Sequence, residues 1–288
     1  MPTARQIDRT AAASTTGIAS LRPLPITPAN LPKSSRRLVL GGIAGILAGI
    51  TYIVGFLLFG LELKDLFDGE NKTLGAVEAI QFLADHRAIF YLANGLVYIL
   101  NGFLQIIVAC AVYEYLQDSA PNRGYSHVRA AVAAIGCVWG ALIVAAGMIG
   151  NGGAHVAIQL LENGHFDRAA TVWTTVDAVY TDGIGGGNEI VGAIWISWTS
   201  VLSFRDGCFH KPINLLGVVA GIAGAVTVVP GLWDEATAVF GILMIVWYVL
   251  AGLTLISVKT STPSVPSSQY PAAKPLSIKH ESVPELTI

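Results

Sequence analysis

Apolar residues in this chain run in long unbroken blocks, with no two-residue alternation of the kind that builds strands. Six blocks, bounded by charges or turn residues, stand at about 38–61, 88–115, 129–150, 184–204, 213–232 and 236–257. A helix of about 20 apolar residues is what crosses a hydrocarbon core of roughly 30 Å. The pattern therefore predicts an all-α fold, a polytopic transmembrane helical bundle of about six spans. Residues 1–37 and 259–288 are rich in Ser, Thr, Pro and Ala and carry no apolar period that would bury a face. They read as disordered tails, leaving 38–258 as one transmembrane domain.

Charge placement orients the spans, because basic loops resist translocation. Thirteen of the seventeen Lys and Arg fall on one side: the N-terminal tail, the loops holding Arg123, Arg129, Arg205 and Lys211, and the C-terminal tail. The other side keeps Lys64, Lys72, Arg87 and Arg168 and collects most carboxylates, among them Asp65, Glu78, Asp85, Glu162, Asp177, Asp182, Asp234 and Glu235. Both termini are thus expected on the cytoplasmic side of an integral membrane protein, in the cell membrane if the host is bacterial. Arg36 and Arg37 precede the first span, but that span is too long for a signal-peptide core.

Composition agrees with lipid as a partner. Hydrophobic residues make up 53% of the 288 and charged residues 12%, against roughly 25% charged in an average soluble domain. A mean hydropathy of +0.61 and a net charge of −2 exclude a disordered chain and offer no basic field for nucleic acid. Cys110, Cys137 and Cys208 are scattered without ligand spacing, and no metal or cofactor is expected.

Between helices in lipid, contact comes from close backbone approach at small residues. Gly41, Gly45 and Gly49 form a stripe on the first span, Gly136 and Gly140 mark the third, and Gly217 and Gly221 the fifth. Each stripe suits packing within the bundle or a homodimer seam. Pro230 is expected to kink or end the fifth span, and Gly185, Gly186 and Gly187 to loosen the start of the fourth.

Polar groups at membrane depth are costly, and an ionisable one is a functional candidate. Glu189 is the clearest, about five residues inside the fourth span beside Asn188. A carboxyl there needs a cation or several donors to stay ionised. In the second span Tyr91, Asn94, Tyr98, Asn101 and Gln105 recur at three- and four-residue intervals, one polar stripe that should face the interior. Asn151 and His155 fall at the same outer level. Asn94, Asn151, His155, Asn188 and Glu189 are accordingly expected to line one outward-facing polar cavity, with Asp182, Asp234 and Glu235 at its mouth. Asn and Gln also serve as glue between spans. Trp173, Tyr180 and Trp233 read as interfacial aromatics, and 165–180 as a weakly amphipathic segment lying on the interface or covering the cavity.

No nucleotide, hydrolase or metalloprotease motif occurs. GGGNEIVGAIW (185–195), LLGVVAGIAG (215–224) and the spacing of Phe240, Gly241, Trp247 and Gly252 resemble a mostly bacterial group of multi-pass membrane proteins known as a domain of unknown function. The resemblance implies a membrane-embedded helical fold and carries no activity or cofactor. Three functions compete. The first is binding of a small lipophilic or amphipathic ligand, as a transporter, sensor or accessory subunit. The second is a membrane-embedded cyclase, isomerase or hydrolase acting on a lipid or terpenoid, with Glu189 as catalytic acid or base. The third is a structural partner of another membrane protein.

Overall fold

The computed structural model describes residues 33–67, 75–120, 124–229 and 231–258. The two tails, the tip of the first acidic loop and Pro230 lie outside the described residues, as do the side chains of Lys33, Ser34, Ser35, Phe67, Trp233 and Asp234. All regular structure among the described residues is helical. The elements are α1 (Lys33–Leu57), α2 (Lys64–Phe67), α3 (Ala76–Asp85), α4 (Arg87–Asn94), α5 (Asn101–Ser119), α6 (Ser126–Glu162), α7 (Phe166–Asp177), α8 (Glu189–Asp206), α9 (Lys211–Val226) and α10 (Trp233–Ser257). Three π-helical segments interrupt them at Leu58–Glu62, Gly95–Leu100 and Ala178–Gly186.

Among the described residues, four helical stretches are long and apolar enough to cross a membrane: Arg36–Glu62, Arg87–Ser119, Ser126–Glu162 and Glu235–Ser257. The remaining two of the six predicted spans are shorter. α9 is an apolar helix of 16 residues, and α8, with 18, carries Glu189, Arg205 and Asp206 within its length.

Six long helices close into a ring in chain order. α1 packs on α5, α5 on α6, α6 on α8, α8 on α9, α9 on α10, and α10 returns to α1. The basal end of the ring is where α1 starts, and the apical end is where it finishes. Two crossings are set by glycine meeting glycine. A Cβ at Gly102 would stand 2.6 Å from the carbonyl oxygen of Gly140, and one at Gly140 2.6 Å from that of Gly102. Gly42 and Gly252 do the same for α1 and α10, at 2.5 and 2.6 Å. No side chain fits between backbones that close, so these crossings demand glycine. The predicted stripes sit at crossings too: Gly41 faces Ala111, Gly45 the Tyr248 carbonyl, Gly49 Ile245, Gly136 Trp195, Gly217 Ser200 and Gly221 Ser197.

At the basal end, α8 stops at Gly207, whose φ of 73° is left-handed, a backbone state open chiefly to glycine. Pro212 then opens α9. Tyr115 donates to the Cys208 carbonyl at 2.7 Å and ties this turn to α5.

The apical end departs from expectation. The third span does not end near residue 150. α6 runs for 37 residues, about 55 Å at 1.5 Å per residue, well beyond a bilayer core. Ala154, Ala157, Ile158 and Leu161 recur at helical spacing on its projecting part and are buried beside Ile80, Leu83, Phe90, Ala169 and Trp173. The apical turns of α4 and α6, with α2, α3 and α7, thus build a small cap with its own core. Residues 165–180 are part of this cap: Trp173 and Tyr180, expected at the lipid interface, are 4% and 1% exposed. Phe90 is their common neighbour, with ring centroids at 5.8 and 6.3 Å. Aromatic burial in the cap wins because α7 can lie directly on α6, where Gly153 leaves room for Val176.

Candidate functional site

A cavity of about 190 Å³ opens inside the apical half of the ring. Its walls come from α1 (Tyr52, Gly55, Phe56), α6 (Trp139, Ile143), α8 (Glu189) and α10 (Thr237, Phe240, Gly241, Met244). All three π-helical segments border it as well, through Phe59, through Val97 with Tyr98, and through Gly185. Such wide turns are rare and concentrate at functional sites, because they re-aim side chains out of the regular helical register.

Among the described residues, Glu189 is the only carboxyl or basic group on the wall. It stands at the first position of α8, with Asn188 as N-cap residue, so it opens a helix instead of lying five residues inside one. The Gly185–Gly187 run accounts for the shift, since the π segment ends there and the α-helix restarts beyond it. Thr237 donates to Glu189 Oε2 at 2.9 Å. Among the described residues no Lys, Arg or His pairs with this carboxyl.

Asn188 is fully occupied by the protein. Its amide donates to the carbonyls of Ile184 and Gly185, at 2.5 and 2.6 Å, and its Oδ1 accepts from Trp139 Nε1 at 2.7 Å. It fixes the indole that forms the cavity floor. From that floor Trp139, Trp195 and Trp247 follow one another with centroid spacings of 5.7 and 5.5 Å, and Phe209 continues the series edge-to-face at 6.0 Å. The ring is thereby plugged with aromatic carbon toward its basal end.

The five expected cavity residues separate into three groups. Asn188 and Glu189 reach the cavity. Asn94 and Asn151 meet each other instead, Asn94 Nδ2 donating to Asn151 Oδ1 at 3.0 Å, while Tyr180 donates to Asn94 Oδ1 at 2.6 Å. This is a closed knot between α4, α6 and the π segment after α7, with Asn94 fully buried. His155 lies one turn farther along α6, exposed and away from the cavity. The knot braces the cavity wall, since the Tyr180 ring lies 5.2 Å from that of Tyr98. Tyr180→Phe leaves an acceptor of buried Asn94 unmatched, and a loss of about 1–3 kcal/mol is expected, to be read from the unfolding midpoint in mixed micelles.

Lower on the stripe, Asn101 donates to the Ala48 carbonyl at 3.4 Å. Gln105 accepts from Tyr248 at 2.6 Å and donates to the Gly136 carbonyl at 3.5 Å. The stripe does face inward, and most of it joins helices.

No protein-family model matches the chain. Neither the curated proteins nor the solved structures hold a match, and the functional reading rests on geometry. Tyr52, Phe56, Phe59, Thr237 and Met244 escaped the sequence reading. One signal was available: Tyr52 and Thr237 are polar residues at the same apical level as Glu189, on helices that otherwise read as plain spans.

Proposed function

We propose that this chain is a multi-pass integral membrane protein that holds a small lipophilic or amphipathic molecule in the apical cavity. The ring is taken to cross the bilayer six times, with both termini cytoplasmic and the cavity facing outward. Support for six crossings includes the outward faces of the two shorter helices, which carry exposed apolar stripes. These are Ile190, Ile194, Trp198 and Val201 on α8, and Leu215, Val219 and Ile222 on α9. Support for the orientation is the basic residues Arg37, Arg129, Arg205 and Lys211 at the basal end, by the rule that basic loops stay inside.

The observation that carries the ligand reading is the cavity itself: an aromatic-walled chamber with one carboxyl, bordered by all three π-helical segments among the described residues. Convergent polar groups in an apolar pocket are the usual form of a small-molecule site. The aromatic side chains packed beneath it favour binding over conduction.

Native mass spectrometry of protein extracted gently from its own membrane tests this. A small molecule retained by the wild type and absent from Glu189→Gln is the expected result. A stoichiometric protein partner kept by both forms, with no small molecule in either, would make the chain an assembly subunit.

A further inference from the structure

On the reading that the cavity holds a ligand, the chemistry of its wall narrows what that ligand is. Three aromatic pairs surround the space: Tyr52 with Phe56 at 6.5 Å between centroids, Phe59 with Tyr98 at 6.4 Å, and Trp139 with Phe240 at 6.0 Å. Aromatic faces carry negative potential and attract cations, most strongly where water is excluded.

The hydrogen-bonding inventory has the same sign. The Asn188 amide protons and the Trp139 N–H are spent within the protein, and the Thr237 hydroxyl is turned to Glu189. Tyr98 is engaged with Tyr180. What the wall offers inward is therefore chiefly acceptor, the Glu189 carboxyl and the aromatic faces, with the Tyr52 hydroxyl as its remaining donor. An anionic ligand would find no cation and almost no donor. A neutral apolar one would leave the carboxyl desolvated with the Thr237 hydroxyl for a donor and no countercharge, which is costly.

We infer that the cavity is selective for lipophilic ammonium compounds, with the cationic nitrogen against Glu189 and between the aromatic pairs, and the apolar remainder along Ile143, Phe240 and Met244. Rings supply attraction to the charge, and Glu189 supplies the countercharge, as no Lys, Arg or His among the described residues pairs with it.

The test compares two probes of the same shape, benzyltrimethylammonium and neopentylbenzene, in which carbon replaces the charged nitrogen. Binding is measured to the full-length protein in nanodiscs, with empty nanodiscs subtracted. The cation is expected to bind about tenfold or more tightly than the neutral probe, the scale of a desolvated cation–π site. Glu189→Gln is expected to bring that ratio close to one, and Glu189→Asp to keep the preference in weakened form. Equal binding of both probes, unchanged in Glu189→Gln, would overturn the ammonium assignment and leave the cavity as a ligand site. Binding of neither probe would overturn both. A cation preference that survives intact in Glu189→Gln would overturn the role given to Glu189.

Discussion

Arg129→Leu is expected to lose about 3–5 kcal/mol of stability, the cost of stranding one member of a buried ion pair. The Arg129 side chain is 0% and that of Asp206 2% exposed, with Nη2 to Oδ2 at 2.6 Å. Nη1 also donates to Gln117 Oε1 and to the Ala120 carbonyl, both at 3.1 Å. One guanidinium thus ties together the end of α5, the start of α6 and the end of α8, and satisfies a carbonyl left open just past α5. Removing it leaves the Asp206 carboxylate buried with no countercharge from Arg129. Lysine is a poor substitute, because a single ammonium cannot match the planar fork that reaches three partners. The double variant Arg129→Leu with Asp206→Leu should recover much of the loss, since a buried pair replaced whole is often near neutral. Unfolding midpoints of the two singles and the double form a thermodynamic cycle. Losses that simply add would show that the pair does not act as a unit.

The second large effect is expected at Gly140. A Cβ there meets the Gly102 carbonyl oxygen at 2.6 Å and Ile106 Cγ1 at 2.7 Å. The isoleucine has rotamers to try, but the carbonyl belongs to helix backbone and yields only if α5 and α6 separate. Gly140→Ala should therefore cost about 1–3 kcal/mol, as overpacking does, and Gly140→Leu more. The contrast lies on the same helix. Gly152 has nothing within 4 Å of its would-be Cβ, so Gly152→Ala should be neutral or stabilising by up to about 1 kcal/mol through helix propensity. Matching midpoint shifts for the two alanine variants would remove close backbone approach as the determinant of this crossing.

The same contrast shows what sequence reading reaches and where it stops. Glycine spacing identified Gly140 as a packing residue but missed its partner Gly102, because a lone glycine on an apolar helix looks like any other until its neighbour is known, and missed Gly42, which stands beside the Gly41 stripe and outside its spacing. Arg129 read as a loop charge for a similar reason. Its position, the fourth residue of α6, suits a solvated helix start, and only the arrival of Asp206 from α8 buries it. The polar stripe of the second span was read correctly as facing inward. Its division into a knot at Asn94, a cavity wall at Tyr98 and helix ties at Asn101 and Gln105 follows from the π segment at Gly95–Leu100, which changes the register midway and leaves no mark in the residue pattern.

Glu189 stood out in sequence because a carboxyl in an apolar block is expensive wherever the block goes. That cost is local, so residue type and neighbours suffice to see it. What surrounds the carboxyl is not local. Thr237 lies 48 residues away in the chain, and Tyr52 more than a hundred. The sequence by itself determined that the chain is helical, apolar in long blocks and polar on selected inner faces, since these follow from periodicity and the cost of burying unpaired groups. The closed order of the ring, the cap on the extended α6, the plug of indoles and the aromatic chamber around Glu189 were decided by tertiary structure. They depend on which distant side chains fill the same space, and packing density couples those choices all at once.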